Sequence, residues 1–459
     1  MLSIVKKLSI LTIIFVFLLT AGFGCKGLDQ EQQAAIRPVV LNYWTVFNDI
    51  SQLESFAAQY KALRPYVTVN IRQVRYDEFD RLFTNALADD VAPDIVSMHV
   101  HWLRKNQNRL LAAPSAVKMA RIFKKNEWSD EREVVIDTIP LPSVRDLKSS
   151  YVNTVNSDVV INNQIYGLPL SVDALGIFYN RDILDRAGVP EAPTNWSQFV
   201  EAVQKTTKFS SQGTIVQSGT ALGTGFNIDA AFDIISLFMG QSGTNIAQSG
   251  AIRFSDGLKD SDRSHPTFRA LDFYTDFARQ TKEVYSWNGQ KPNALDEFVR
   301  GKMAFYFGYA YNFPTIKARA PQMNLETIPM FQLNPDNPSN VANYWVESVV
   351  KKSTHPNEAW DFVRFMTSPE NVKKYTAATF RPSPLRSQIA EQQLDENMEP
   401  FATQALFAEN WYRGRDVDIA RNAFQNMVSD LLKPYGEQDA LKRDKQIIIN
   451  TAARVQQTM

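Results

Sequence analysis

The chain has 459 residues, of which 44% are hydrophobic and 12% aromatic, enough to build cores for two or three domains. Forty-nine basic residues balance forty-nine acidic ones, which argues against nucleic acid or an anionic membrane surface as a charge-driven partner. A single cysteine, Cys25, excludes an internal disulfide framework, so packing must hold the fold.

The chain opens with Lys6 and Lys7, followed by an apolar run from Leu8 to Leu19 and the small residues Ala21, Gly22 and Gly24. The run is shorter than the roughly 20 residues that cross a bilayer, and its flanks are those of a secretory signal peptide over residues 1–24. Cys25 directly after it resembles the lipobox of bacterial lipoproteins, although Gly22 and Phe23 stand where that pattern prefers leucine and a small residue. The resemblance implies that Cys25 is acylated and becomes the first residue of a protein held at a membrane surface outside the cytoplasm. The alternative is a free thiol beside an ordinary cleavage site. Residues 25–37 are polar, without strand pattern, and read as a lipid-anchored tether.

From Val39 strands and helices alternate. Val39 to Trp44 is an expected strand, followed by a helix from about Ser51 with Leu53, Phe56, Ala57 and Tyr60 on one face. Val67, Val69 and Ile71 mark a second strand, and Phe79, Leu82, Phe83, Ala86 and Leu87 a second helix. Ile95 to Met98 is a third strand. This β-α-β-α-β order implies a largely parallel sheet whose ligands bind beyond the carboxyl ends of the strands. A second cycle begins near Tyr166, with a strand over Ala174 to Tyr179, a short helix closed by Gly188, and a helix from Asn195 with Trp196, Phe199, Val200 and Val203 inward. Asn195 and Gln198 are spaced as a capping box. Asn227 to Met239 reads as an apolar helix, and Met303 to Phe307 as a strand after the helix stop Gly301. His355-Pro356 and Ser368-Pro369 each open a helix, and Asp416 to Met459 is helical and polar-faced.

Four stretches carry a resemblance: LNYW…PDIVSM, YGLPLSVDALGIFYNRDILDRAGVPEAPTNWSQF, FVRGKMAFYFGYAYNF, and HPNEAWDFVRFMTSPENVKKY followed by RPSPLRS. In this order they resemble the extracellular solute-binding proteins of ABC importers, in the family that includes maltose-binding protein. The resemblance implies an α/β fold of the two-lobed periplasmic-binding type, each lobe a mostly parallel sheet flanked by helices, with three crossings between lobes and ligand held in the cleft. The crossings are expected near Val172 to Leu175, Ile328 to Met330 and Arg381 to Pro384. The first lobe is then residues 38–173 plus 329–380, and the second 174–328 plus 381–459. The partners implied are a small carbohydrate ligand, the membrane subunits of an ABC transporter and, through the anchor, a membrane; the expected state is a monomer.

A sugar cleft needs aromatic platforms for C–H faces, and carboxylate, amide and guanidinium groups for hydroxyls. Aromatics stand at the expected strand ends: Trp44 and Phe47 beside Asn48 and Asp49; His99, His101 and Trp102; and Tyr309 and Tyr311. Tyr344 and Trp345 lie past the second crossing that the resemblance implies, and Trp411 and Tyr412 lie in a polar loop. Together with the positions the resemblance implies, the ligand-binding set is Asn48, Asp49, His99, Asp173, Tyr309, Tyr311, Tyr344, Trp345 and Trp411. Trp44 is expected in the core. His99 and His101 would share a strand face, but no further ligand stands at metal-binding spacing, so no metal or cofactor is expected. No G-x-S-x-G, P-loop or G-x-G-x-x-G is present, so the chain is not expected to be an enzyme. The competing readings are a surface glycoside hydrolase and a ligand-sensing lipoprotein without a transport role.

Overall fold

A computed structural model describes residues 28–124, 132–434 and 439–459. The leader and Cys25 lie outside the described residues. Two mixed sheets, each covered by helices, form the cores of two lobes.

In the first lobe the strand Val39–Thr45 lies between Val67–Gln73 and Ile95–His99, parallel to both. The helix Ile50–Leu63 buries Leu53, Phe56 and Tyr60, and the helix Tyr76–Ala88 buries Phe79, Phe83 and Ala86. The strand Trp345–Val350 returns from far along the chain and pairs antiparallel with Ile95–His99, setting Trp345 opposite His99. Its Glu347 sits in the middle of the lobe. Tyr43 Oη donates to one oxygen of its carboxylate, and Asn48 Nδ2 (2.8 Å) and Ser97 Oγ (3.2 Å) donate to the other. A second buried carboxylate, Asp361, accepts from Tyr60 Oη (2.9 Å), Arg64 Nε (3.2 Å) and Arg364 Nη2 (2.7 Å), and so fastens the helix Pro356–Met366 to Ile50–Leu63.

The second sheet centres on the strand Asp173–Asn180. Met303–Tyr309, Leu325–Pro329 and Asn340–Asn343 all run antiparallel to it. The sheet is mixed rather than mostly parallel because this strand enters the lobe directly from the first one, against the direction of its neighbours. The helix Trp196–Thr206 buries Trp196, Phe199 and Val203 as its spacing predicts. Its Asn195 cap accepts from the Gln198 N–H (3.0 Å), while the Gln198 side chain accepts from the Thr194 N–H (2.9 Å) rather than from Asn195.

The chain leaves the first sheet after Leu168–Pro169 and enters the second at Asp173. The return crossing lies at Tyr344, between Asn340–Asn343 in the second sheet and Trp345–Val350 in the first. This corrects the boundary expected at Ile328 to Met330. After Leu325–Pro329 the chain makes an excursion, then resumes pairing along the same strand at Asp173 and Ala174, so residues 329–343 stay with the second lobe. The last passage runs from the helix Pro369–Thr379 to Glu399–Ala405, where Phe401 packs on Phe178 of the second sheet. Pro382 O accepts from the Val172 N–H (3.1 Å), which joins this passage to the first crossing.

Several elements were not expected, among them a ribbon and a short helix. Ala116–Lys124 and Arg132–Pro140 form a separate antiparallel ribbon. Within the expected tether, Gln30–Ala35 is a helix, because Asp29 and Gln32 complete a capping box, and Gln32 Nε2 donates to Val134 O of the ribbon (2.9 Å).

Burial pushes the Glu347 carboxyl up to about 7. The unfolded chain releases that proton near pH 4.3, so the stabilising contribution is complete below that value and is lost as pH rises through 7. The Tyr43 and Ser97 hydroxyls can turn to accept when Glu347 is protonated. Glu347→Gln should therefore remove on the order of 3 kcal/mol from the fall in unfolding free energy between pH 4.5 and 7.5. Urea unfolding of both proteins across that range reads the difference; parallel curves would discard Glu347 as its origin.

Candidate ligand-binding site

The strand registers bring chemically rich ends to one place. In the first lobe Phe47 follows Thr45, and His99 lies opposite Trp345. In the second, Asp173 pairs with Asn343 and Leu175 with Tyr309. These edges face each other across a cavity of about 660 Å³ that holds residues of both lobes and of all three crossings.

Aromatic rings form its walls. Phe47 is 54% exposed, stacks on Tyr76 at 6.0 Å and meets the edge of Trp345 at 5.5 Å. Tyr76 in turn rests against Trp102 at 4.9 Å, so the exposed ring is backed by a half-buried and then a buried one. Across the cavity Tyr311, 40% exposed, stacks on the buried Tyr309 at 5.6 Å.

Polar groups stand between the rings. Asp173 accepts from the backbone N–H groups of Ala174 (2.9 Å), Ala310 (3.0 Å) and Tyr311 (3.1 Å). Burial pushes its carboxyl up to about 7, against the pull of those donors and the Arg381 charge. Asp233, on the helix Ala231–Gln241, accepts from Tyr309 Oη (2.8 Å), and burial raises its carboxyl too, opposed by Arg421. Arg421, on the helix Val417–Leu431, donates to Asp418 (2.9 Å) and across the lobes to Tyr76 Oη (3.2 Å). Arg381 lies over the Tyr311 ring at 5.8 Å and donates from Nη2 to Phe47 O at 3.3 Å. His99 is held down to about 4 by burial, and its Nε2 bonds to Asn343 Oδ1 (3.1 Å).

Of the residues expected at the ligand, His99, Asp173, Tyr309, Tyr311, Tyr344 and Trp345 line this cavity. Asn48, Asp49 and Trp411 do not. Asn48 is buried in the Glu347 network, where its Oδ1 also accepts from Tyr375 Oη (3.2 Å). Asp49 is spent on the helix Ile50–Leu63, accepting from the Gln52 N–H (2.9 Å). Trp411 donates to Ser236 Oγ (2.9 Å) and lines a second cavity of about 570 Å³ beside Arg104 and Arg413. Trp44 is buried, as expected. Sequence reasoning missed Tyr76, Asp229, Asp233, Asn312, Arg381 and Arg421. The signal for Asp233 was available: it is the only charged residue of the largely apolar helix Ala231–Gln241.

Behind the cavity Asp158 accepts at one oxygen from Thr154 Oγ1, Tyr344 Oη and Asn410 Nδ2, each at 2.9 Å. Asn410 Oδ1 in turn meets His101 Nε2 at 3.2 Å. Among the described residues no group of three or more His, Cys, Asp or Glu is arranged to hold a metal ion, and no helix is long and apolar enough to cross a membrane.

Residues 44–373 match the family described as bacterial extracellular solute-binding protein. The chain is 27% identical over 234 residues to a multiple sugar-binding protein of Streptococcus mutans, which covers 50% of this chain and 52% of that protein. It thus spans about half the length of that relative. It is 22% identical over 415 residues to a melibiose/raffinose/stachyose-binding protein of Bacillus subtilis, covering 84% of this chain and 89% of the relative. Among solved structures, a cyclic alpha-maltosyl-1,6-maltose binding protein from Arthrobacter globiformis superposes with a TM-score of 0.70 at 17% identity, over 92% of this chain and 100% of that one. That likeness shows the fold.

The backbone N–H groups on Asp173 cannot turn round, so an amide there sets an N–H₂ against an N–H. Asp173→Asn should lower the unfolding free energy by about 1–3 kcal/mol. It should also release Tyr311, read as faster hydrogen exchange at residues 309–312 than in the parent. Unchanged exchange would show that the turn holds itself.

Proposed function

Because the chain belongs to the bacterial extracellular solute-binding proteins, we propose that it captures an oligosaccharide between its lobes and delivers it to the membrane subunits of an ABC importer. The observation that carries this reading is the pair of exposed aromatic faces, Phe47 and Tyr311, set on opposite lobes around a cavity furnished with carboxylates, guanidinium groups and amides. Sugars offer an apolar C–H face to such rings and hydroxyls to such edges. The sugar-binding names of the relatives support the same ligand class. The cavity volume lies within the range of sites that enclose small ligands.

In this reading the protein binds without transforming its ligand. Of the three cleft carboxylates, Asp173 and Asp233 are engaged by backbone N–H groups and by Tyr309, which leaves Asp229 without a second free carboxyl and supports holding over proton transfer. The protein acts as a monomer outside the cytoplasm. Acylation of Cys25 would keep it near its transporter.

Raffinose, stachyose and maltotriose are the first ligands to titrate. At least one should raise the melting temperature, since a ligand that binds only the folded state stabilises it by mass action. Phe47→Ala and Tyr311→Ala should each weaken binding about tenfold or more, roughly 1.4 kcal/mol. Chromatography of the same mixtures should return the oligosaccharide intact. No response to any sugar, or the appearance of shorter products, would sink the proposal.

A further inference from the structure

Most polar groups on the cavity wall already have partners within the protein. Asp173 is bound by three backbone N–H groups, Asp233 by the Tyr309 hydroxyl, and Asn312 Oδ1 by the Tyr309 N–H (2.9 Å). His99 and Asn343 hold each other, and Arg421 is taken by Asp418 and Tyr76. Arg381 is different. Its Nε is buried without a hydrogen-bond partner, and no carboxylate lies within ion-pair distance of its guanidinium, both among the described residues. The one hydrogen bond of its guanidinium among the described residues, to Phe47 O, is long at 3.3 Å. It stands between Phe47 and Tyr311, the cavity rings most exposed to solvent, one on each lobe.

Buried donors are almost always paired in native proteins, and a guanidinium presents its N–H groups as a planar fork. A ligand that lays a ring on Tyr311 and turns two adjacent oxygens toward Arg381 would satisfy both features at once. The carboxylates Asp173, Asp229 and Asp233 outnumber the guanidinium groups Arg381 and Arg421 on this wall, and Arg421 is already paired with Asp418. Burial raises the carboxyls of Asp173 and Asp233, yet Asp229 on the wall and Asp418 beside it already match the two guanidinium groups, so an added carboxylate on the ligand gains no net opposite charge.

We infer that Arg381 is the specificity-determining residue of the cleft, reading two neighbouring oxygens of an uncharged sugar unit stacked on Tyr311. The inference rests on the carbohydrate reading above and names both the residue and the ligand charge class. It assigns the role to the fork rather than to the charge, so lysine does not replace arginine.

The test compares the parent protein with Arg381→Lys and Arg381→Gln in calorimetric titrations of raffinose, maltotriose and the acidic trisaccharide trigalacturonate. The parent should bind a neutral trisaccharide at least tenfold more tightly than the acidic one. Both variants should bind that neutral ligand at least tenfold more weakly, with unliganded melting temperatures close to the parent's. The melting temperatures separate a lost ligand contact from a damaged fold. Equal affinity in the parent and the lysine variant would overturn the inference while leaving carbohydrate capture standing, as would tighter binding of trigalacturonate by the parent. Failure of the parent to bind any sugar would overturn the carbohydrate reading itself.

Discussion

Asp173 is the residue on which the cleft geometry depends. It is the first residue of the central strand of the second sheet, and its backbone pairs with Asn343, just before the return crossing. Its carboxylate collects the N–H groups of Ala310 and Tyr311, the turn that carries an exposed ring into the cavity. One side chain thus sets the height of the Tyr311 platform relative to two crossings. Backbone donors are fixed in direction, so this arrangement admits little variation. The burial that raises its carboxyl also makes an unpaired group there costly, which explains why it is bound from three directions.

Buried carboxylates fasten the first lobe internally, and one of them, Asp158, also reaches across to the second. Glu347 and Asp361 are buried carboxylates with several donors each, and removing one partner from such a site typically costs several kcal/mol. Contacts across the cleft are mixed: Tyr76 with Arg421 and Asp418, His101 with Asn410 and Arg381 with a backbone oxygen are hydrogen bonds of 3.2–3.3 Å, whereas the buried Asp158 accepts from Asn410 at 2.9 Å. Those that involve a charged group fall in the class worth about 1.5–3 kcal/mol. Lobes joined by a small set of such bonds can move as bodies around the crossings once these exchange.

Much of this was legible in the sequence because periodicity reports burial. The strand Val39–Thr45 and the helix faces of Leu53, Phe56 and Tyr60, and of Ala359, Phe362 and Met366, follow from spacing alone. The strand ends near His99 and Tyr309 follow from counting to the end of each apolar run, whereas Trp345, which opens its strand, was placed by the expected crossing before it. Asn48 could not be sorted this way. It stands beside a cleft residue, Phe47, but turns inward to a glutamate that lies far along the chain, and no local pattern reveals that partner. Arg381 and Arg421 were hidden for a related reason, since each reaches the cavity from an element whose position is fixed only by tertiary packing. The second crossing was misplaced because the strand from Leu325 to Pro329 stops pairing and then resumes at Asn340 along the same neighbour, a detour that looks in sequence like departure. The ribbon Ala116–Lys124 did leave a signal: buried Val117 and Met119 alternate with an exposed lysine.

The distribution of unsatisfied groups favours capture over chemistry. A hydrolytic cleft keeps a titratable carboxyl free to give or take a proton at the substrate. Here Asp173 and Asp233 are raised by burial but bound within the protein, Tyr344 and Asp158 neutralise each other's demand for a partner, and His99 is held neutral against Asn343. Among the described residues, what stays open toward a ligand is two ring faces, one guanidinium edge and the exposed Asp229, bonded to Asn293 (2.7 Å), without the second free carboxyl that a hydrolytic pair requires. Under the proposed reading, a ligand held by such groups leaves unchanged once the lobes part, as delivery to a transporter would require.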